Sequence, residues 1–350
     1  MNVREINFRQ IVPFFIILIA LIGLVFIVAD WDQIWRAITQ ARWQSIPFAL
    51  AATLISYACI SFSFAQVSRL MGVVMPRKDL AIVGFVSSVL NHLVLSGGLA
   101  GYSVRFMLMN RHGVVMREVV AISILHFYLT SLMMMAMLPL GLLYLGLNAS
   151  LGQTTTTILV IAASLLLLVT LLATLLIFRR TMRKRLVHLL VKAAGTLLGR
   201  DISPPLERFD MTMDQGVRAM RDNPATVLSI AALIAVDWAF SAAALWFCFR
   251  AFDTTPSLGQ LISGFVIGTV AGVASLFPAG LGIQEASMTG IFTLFDIPLE
   301  QAVLASILYR VVYSVAPYLV SLGFYRLVLH PEQEGQKQTT QEADYENPYV

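Results

Sequence analysis

Apolar residues run through this chain in stretches that are long enough to cross a lipid bilayer. A transmembrane helix needs about 20 mostly apolar residues, and several runs reach that length. The pattern predicts six full membrane-spanning helices, at residues 11–29, 46–68, 118–147, 153–178, 225–250 and 301–329.

Two further apolar segments, at residues 80–110 and 258–296, are each interrupted by a glycine-rich break. The pieces on either side of a break are roughly 11 to 19 residues long, and most are too short for a full crossing. They fit re-entrant hairpins, in which two half-helices meet near the membrane midplane. Two thin or tilted crossings in each segment are the alternative. The breaks contain Gly97, Gly98, Pro278, Gly280 and Gly282.

The composition agrees with this pattern. Of the 350 residues, 58% are hydrophobic and 13% are charged. A soluble protein of this length cannot bury so much apolar surface. We therefore expect an all-α polytopic membrane protein.

Lys and Arg are distributed unevenly between the two sides of the predicted bundle. With the N-terminus inside, the outer side receives only Arg36, Arg42 and Arg250. Basic residues concentrate on the cytoplasmic side of membrane proteins, so both termini are predicted to be cytoplasmic. The two hairpins then enter from opposite faces. Units 46–147 and 225–329 would form an inverted repeat, the architecture of many secondary transporters.

The two units are joined by residues 179–224, in which apolar and charged residues alternate at helical spacing. This linker opens with a basic cluster, and we predict short amphipathic helices on the cytoplasmic surface. Residues 331–350 are polar and have no apolar period, which predicts a disordered tail. Residues 1–330 are interpreted as a single integral-membrane domain.

Ionisable side chains at membrane depth are candidates for function, because each costs several kcal/mol to place in the bilayer. The sequence predicts six of them: His92, Arg105, His126, Asp237, Glu285 and Arg310.

Glu285 follows Gly282 by one turn, at the start of a half-helix. The free N–H groups and the dipole of such a helix end can stabilise a carboxylate. We expect Glu285 either to form a structural ion pair with Arg310 or to act in gating or proton coupling. Arg310 lies too deep in the last span to reach the interface easily, so it needs Glu285 or a substrate phosphate as a partner.

Arg105 follows the first break, and Arg111 closes that hairpin at the cytoplasmic edge. A guanidinium beside free backbone N–H groups is suited to phosphate, and the alternative is that Arg105 only reaches the interface. Asp237 lies in the middle of a span, where a hydrogen bond to a neighbouring helix is the simplest interpretation. His92 is a weaker candidate, because a lone membrane histidine more often bridges helices than titrates.

Signatures of several enzyme classes are absent from the sequence. It contains no Walker loop, no GxSxG, no HExxH and no CxxC pair. Its two cysteines, Cys59 and Cys248, are isolated and make no metal site. We therefore expect no enzyme activity, no cofactor and no metal. The net charge of +4 does not suggest a nucleic-acid partner.

Three groups of residues resemble one known family when they are taken together. They are the glycine pair with Arg105 and Arg111, the string from Pro278 to Glu285, and the run from Tyr309 to Tyr313. The resemblance is to the lysylphosphatidylglycerol synthetase transmembrane-region family, which includes the flippase half of the bacterial multiple-peptide-resistance factor and stand-alone inner-membrane relatives.

That resemblance implies a bacterial inner-membrane protein that handles phospholipids or lipid-linked headgroups. The motif matches imply the following substrate-binding residues: Gly97, Gly98, Arg105, Pro278, Gly280, Gly282, Glu285, Arg310 and Tyr313. The secondary candidates from the residues themselves are His92, Asp237 and Arg111.

The leading hypothesis is a lipid flippase or transporter in which the two hairpins form a polar groove. Arg105 and Arg310 would attract a lipid phosphate there. One alternative is a non-catalytic membrane partner of a lipid-synthesis enzyme. Another is a membrane-embedded transferase that uses Glu285 with Asp237. The two-part resistance factors append a soluble aminoacyl-transferase domain, whereas this chain ends in a polar tail, so we do not expect it to make lysylphosphatidylglycerol.

Overall fold

The computed structural model describes residues 35–36, 38–93, 99–178, 214, 216–275 and 280–329. Within these residues the chain is helical and contains no strand. The predicted span at 11–29, the predicted tail at 331–350 and most of the linker lie outside the described residues.

Ten α-helices have both ends in the described part of the chain, and residues 216–222 are helical as well. A 3-10 turn at Trp43–Ser45 precedes the first helix, and a π-helical turn at Val311–Val315, here called the π turn, joins the last two. The helices are α1 (Ile46–Leu70), α2 (Arg77–Leu93), α3 (Leu99–Asn110), α4 (Met116–Asn148), α5 (Gln153–Phe178), α6 (Pro224–Ala251), α7 (Leu258–Ala274), α8 (Ile283–Thr293), α9 (Leu299–Arg310) and α10 (Ala316–Leu329).

Five of the described helical stretches are long and apolar enough to cross a membrane. They are Trp43–Leu70, Met116–Asn148, Gln153–Leu172, Pro224–Ala251 and Leu299–Ser321. They coincide with five of the six predicted spans. Many large apolar side chains on them point outwards, especially on α5, because lipid takes the place of water around such helices.

The two interrupted segments form pairs of short helices, as their breaks predict. α2 has 17 residues and α3 has 12, while α7 has 17 and α8 has 11. At about 1.5 Å per residue these helices are roughly 17 to 26 Å long, which is less than the ~30 Å hydrocarbon core. Their lengths agree with re-entrant hairpins, and the depth that each hairpin reaches stays a prediction.

The centre of the bundle is the pair α1 and α6, which pack along each other. The buried face of α1 is rich in small residues, among them Ala49, Ala52 and Ser56, and Ser241 and Ala244 of α6 are also buried. Small side chains allow the backbones of membrane helices to approach closely, which is what places polar groups of the two helices within hydrogen-bonding distance.

Each broken segment packs on helices of its own half and on one helix of the other half. α2 contacts α1 and α3 as well as α10, while α7 contacts α6 and α8 as well as α4. One apolar cluster surrounds Phe249, Phe265 and Phe292, and a second surrounds Phe64 and Leu125. Trp238 of α6 packs against both clusters, so the two halves share one continuous core.

Candidate functional site

The second glycine break turns the chain sharply into α8. Gly280 and Gly282 have φ of +62° and +81°, a left-handed conformation that favours glycine. A Cβ on Gly280 would also lie 2.9 Å from the Cα of Gly272. The break therefore needs glycine both for its backbone angles and for its close approach to α7.

A glycine face on α7 holds α8 in place. Gly264, Gly268 and Gly272 recur every four residues, so they lie on one side of the helix. A Cβ on Gly264 would collide with Phe292, and one on Gly268 would collide with Met288. This tight contact positions the first turn of α8, which carries Gln284 and Glu285.

Glu285 is fixed by the backbone at the start of α8. Its Oε2 accepts a hydrogen bond of 2.7 Å from the N–H of Gly282, the residue that caps the helix. The cap satisfies a backbone donor that has no partner within the helix, and the carboxylate lies at the positive end of the helix dipole. This confirms the expected role of the half-helix end.

Arg310 completes a three-residue cluster at this position. Its Nε donates to Oε1 of Glu285, and its Nη2 donates to Oε1 of Gln284 at 2.9 Å. The side chains of Arg310 and Glu285 are only 13% and 12% exposed. The structural ion pair expected from the sequence is therefore present, and it joins the last long helix to the broken segment.

Asp237 is the centre of a second polar cluster, between α1, α6 and the π turn. It lies halfway along the 28-residue α6 and is 8% exposed. Its Oδ1 accepts a hydrogen bond of 2.5 Å from Ser56. The expected hydrogen bond to a neighbouring helix is therefore confirmed. No cationic side chain pairs with Asp237 among the residues that the structure describes.

Three hydroxyl groups extend the cluster around Asp237. Ser56 lies 3.0 Å from Ser241 and 3.0 Å from the hydroxyl of Tyr313, and Ser241 lies 2.9 Å from that same hydroxyl. Each hydroxyl can both donate and accept, so the three groups and the carboxyl form one connected network. We call Ser56, Asp237, Ser241 and Tyr313 the hydroxyl cluster.

The π turn is the backbone feature that places Tyr313. An inserted residue in a helix leaves a backbone carbonyl without its usual partner, and such turns occur often at functional sites. Here the hydroxyl of Tyr57 donates to the carbonyl oxygen of Tyr313 at 3.1 Å. Arg310 immediately precedes the π turn, so the turn separates Arg310 in one cluster from Tyr313 in the other.

Aromatic rings pack around the Tyr313 end of the hydroxyl cluster. The ring of His92 lies 5.5 Å from that of Tyr313 and 5.8 Å from that of Tyr57. His92 is nevertheless exposed, and its Nδ1 donates to the carbonyl of Ser88 at 2.8 Å. Arg310 and Tyr313 are three residues apart in the chain, so the two polar clusters are near neighbours.

Arg105 occupies a third polar site, in the first half of the chain. It is 4% exposed, its Nε donates to Ser87 at 2.8 Å, and its guanidinium stacks 4.3 Å from the ring centre of Phe64. His126 lies in contact with the same Phe64 ring and bonds to Ser63. No carboxylate among the described residues pairs with Arg105.

The structure therefore divides the predicted site residues among separate places. Glu285, Arg310 and Gly282 come together, as do Asp237, Tyr313 and His92, whereas Arg105 contacts neither group in the described residues. Arg111 lies in the turn after α3 and is exposed. Three predicted residues lie outside the described part of the chain: Gly97, Gly98 and Pro278.

Several residues of these clusters were not predicted. Ser56, Ser241 and Tyr57 carry no charge, and serine and tyrosine are common in membrane helices, so nothing marks them in the sequence. Gln284 lies inside the matched string but has no ionisable group. The only sequence signal for them is the run of small and hydroxyl residues along α1, which is typical of a tightly packed helix pair.

Comparison with known proteins identifies the family of this chain. Residues 11–321 match the family model described as the lysylphosphatidylglycerol synthase TM region. A UPF0104 membrane protein of Methanothermobacter thermautotrophicus is 28% identical over 85 residues, which cover 24% of this chain and 24% of the relative. A phosphatidylglycerol lysyltransferase of Staphylococcus aureus is 30% identical over 87 residues, which cover 25% of this chain and 10% of the relative.

The pairwise matches thus span at most about a quarter of the relatives' own length. The family model, in contrast, covers nearly the whole chain, from the predicted first span to the end of the last candidate span. It also covers all the polar clusters described above. The chain therefore belongs to the lysylphosphatidylglycerol synthase transmembrane-region family.

Proposed function

We propose that this protein is a lipid flippase, which binds a phospholipid or lipid-linked headgroup and moves it across the bacterial inner membrane. The observation that carries the proposal is the polar cluster of Gln284, Glu285 and Arg310 at a glycine break among membrane helices. Polar groups at membrane depth are costly, and in transporters they line substrate pathways. Discontinuous helices at the substrate site are also typical of secondary transporters.

The arrangement of the helices supports an inverted repeat. Each half consists of a long helix, two short helices around a break, and a second long stretch of helix. α2 packs on α10 of the second half and α7 packs on α4 of the first, which is the exchange that a twofold axis would produce. With the charge distribution of the sequence, this order agrees with two hairpins that enter from opposite faces.

The charges support a headgroup that contains phosphate. Arg105 is buried with a hydroxyl and aromatic rings, and it has no carboxylate partner among the described residues. A planar guanidinium in such a place matches the geometry of a phosphate oxygen pair. Arg310 is held by Glu285, so it would bind phosphate only after that carboxylate gives way. The relative named phosphatidylglycerol lysyltransferase acts, by its name, on an anionic phospholipid, and we extend that substrate class to this chain.

The proposal assigns no chemistry to the chain. A transferase would need a paired acid and base facing one headgroup, and Glu285 with Asp237 is the pair that the sequence offers. In the described residues Glu285 bonds to Arg310 and Gly282, whereas Asp237 bonds to Ser56. The carboxylates thus have separate partners. An association with a lipid-synthesis enzyme remains compatible with the proposal, and co-purification of such an enzyme would test it.

Reconstituted vesicles test the flippase directly. Purified protein is placed in liposomes with fluorescent phosphatidylglycerol. A membrane-impermeant quencher is added, and the fraction of fluorescence that it quenches is followed over time. We expect wild type to move the lipid and Glu285→Gln and Arg310→Ala to slow it. Arg42→Gln is the matched control, because it breaks the exposed Arg42–Asp253 ion pair of 2.7 Å outside the site. Wild type that moves lipid no faster than the two site variants would refute the proposal.

A further inference from the structure

Asp237 has a setting that the proposed function leaves unexplained. It is an aspartate halfway along a membrane helix, 8% exposed, and no cation pairs with it among the described residues. By contrast, Glu285 has both an arginine and a backbone N–H. The sequence offered Glu285 as a proton-coupling group, but in the structure that carboxylate has an ionic partner.

We infer that Asp237 is the proton-binding site of this transporter, and that the hydroxyl cluster reports its protonation to the headgroup site beside Arg310. The coupling of proton binding to lipid movement rests on the proposed function. Proton binding at Asp237 is nevertheless a property that can be measured by itself.

The hydrogen-bond network has two arrangements that differ by one proton. With Asp237 ionised, Ser56 donates its only hydroxyl hydrogen to Oδ1, so it can only accept from Ser241 and Tyr313. When Asp237 takes up a proton, its own O–H can donate to Ser56. Ser56 then turns its hydrogen to Tyr313 or Ser241, and the Tyr313 hydroxyl is left to donate elsewhere. Only the hydroxyl hydrogens change direction. No covalent bond between heavy atoms changes, and the added proton stays on the carboxyl.

We place the entry of the proton at His92, whose ring packs edge-on against that of Tyr313. His92 is exposed, and its ring lies 5.5 Å from that of Tyr313. Its Nδ1 donates to the carbonyl of Ser88, so in the neutral ring Nε2 is the basic atom that can take up a proton. Tyr313 and Ser56 then connect this side of the cluster with Asp237.

Titratable groups other than the Asp237 carboxyl also lie on the elements around it. Tyr57 and Cys59 on α1 and Tyr313 on the π turn are the titratable groups that act on it electrostatically. α7 and the 3-10 turn also pack against α6, and neither contains a titratable residue.

Two further helices touch α6, and three of their titratable side chains have partners of their own. On α4, His126 bonds to Ser63. On α9, Arg310 bonds to Glu285, and the ring of Tyr309 stacks on that of Tyr313.

The π turn is the element that can link the protonation of Asp237 to the position of Arg310. It spans Val311–Val315, so it holds Tyr313 and directly follows Arg310. The hydrogen-bond register of a π turn differs from that of an α-helix by one residue. A change in the hydrogen bonds of Tyr313 can therefore favour one register over the other. A shift of register there would turn Arg310 relative to Glu285.

Infrared titration tests proton binding at Asp237 without any lipid movement. Spectra of the purified full-length protein in detergent are recorded as the pH is lowered, and the C=O stretch of a protonated carboxyl is followed. We expect a band that is missing in Asp237→Asn and kept in Asp222→Asn, which removes an exposed aspartate. We expect Ser56→Ala to fold and to shift the frequency of the band, because it removes the hydrogen bond to Oδ1. A spectrum unchanged in Asp237→Asn, or unchanged in Ser56→Ala, would overturn the inference.

A pH gradient across proteoliposomes tests the coupling. If one proton moves with each lipid, a difference of one pH unit maintains about a tenfold difference in the concentration of fluorescent phosphatidylglycerol between the two leaflets. We expect this asymmetry in wild type and Asp222→Asn, and none in Asp237→Asn or Tyr313→Phe. Tyr313→Phe should keep the Asp237 infrared band, since it removes only the connecting hydroxyl.

The possible failures can be told apart. Wild type that equilibrates lipid regardless of the gradient would overturn the coupling and leave the flippase intact. Asp237→Asn with the wild-type asymmetry would overturn it equally. Wild type that moves no lipid would refute the proposed function, and the infrared titration would still decide whether Asp237 binds a proton.

Discussion

Ser56 and Ser63 lie seven residues apart on one face of α1, and each bonds to a polar residue of a different helix. Ser56 bonds to Asp237 of α6, whereas Ser63 bonds to His126 of α4. Seven residues correspond to about 10 Å along a helix, so α1 separates two polar sites by roughly that distance. One site contains Asp237 and adjoins Arg310, and the other contains Arg105.

This separation argues against a single groove in which Arg105 and Arg310 hold the same phosphate. A lipid phosphate held by Arg105 lies at another level of α1 than the hydroxyl cluster. A headgroup that moves through the protein would meet these sites in turn. Each site therefore has its own expected behaviour on substitution.

The Glu285–Arg310 pair is expected to stabilise the packing of α8 against α9 within the second half. Glu285→Gln leaves a largely buried arginine without its carboxylate, and breaking such a pair costs about 3–5 kcal/mol. The double variant Glu285→Gln with Arg310→Gln should lose less than the sum of the single changes. Unfolding in detergent, followed by circular dichroism, measures the three variants. Additive losses would show that the pair does not contribute as a unit.

Gly268 should tolerate no side chain, whereas Gly290 should tolerate one. A Cβ on Gly268 would collide with Met288, and Gly268→Leu should therefore cost about 1–3 kcal/mol through overpacking. Gly290 lies in the interior of α8 with nothing within 4 Å of an added Cβ. Gly290→Ala should be neutral or should stabilise by up to about 1 kcal/mol. Thermal unfolding of both variants checks the contrast, and equal effects would contradict the packing of α7 on α8.

Ser56→Ala should destabilise more than the same change further along α1. It removes the donor to a buried carboxyl, and an unsatisfied buried polar group costs about 1–3 kcal/mol. Ser68→Ala is the control, because Ser68 bonds only to the carbonyl of Phe64 in its own helix. We expect this control to change the free energy of unfolding little. Similar losses for the two variants would show that the contact with Asp237 contributes no stability.

Arg105→Gln should weaken the retention of anionic lipid. A hydrogen bond to a charged group contributes about 1.5–3 kcal/mol, which corresponds to roughly tenfold or more in affinity. Arg105→Lys should recover part of the loss, since lysine keeps the charge but lacks the planar group that stacks on Phe64. Mass spectrometry of lipids that remain bound after purification measures the effect. Arg218→Gln, which breaks an ion pair with Asp214 outside the three polar sites, is the control. Equal lipid retention in all variants would exclude Arg105 as the phosphate site.

The helical class and the positions of the long spans follow from the sequence alone. An apolar run of about 20 residues has few structures open to it in a bilayer, because every backbone group must be satisfied within the segment. The same reasoning predicted the two broken segments and the Glu285–Arg310 pair. A glycine break and an isolated charge at membrane depth are local signals, and each needs a partner close by.

Only the tertiary structure decided which polar groups meet. Asp237 bonds to Ser56, 181 residues earlier in the chain, and Tyr313 joins them from a π turn that no residue pattern predicts. Ser56, Ser241 and Tyr57 carry no sequence signal of their own, since their role depends on how closely α1 and α6 pack. The division between Arg105 and Arg310 has the same origin. Their spacing along the chain does not fix their separation, which follows from the packing of each broken segment on the opposite half.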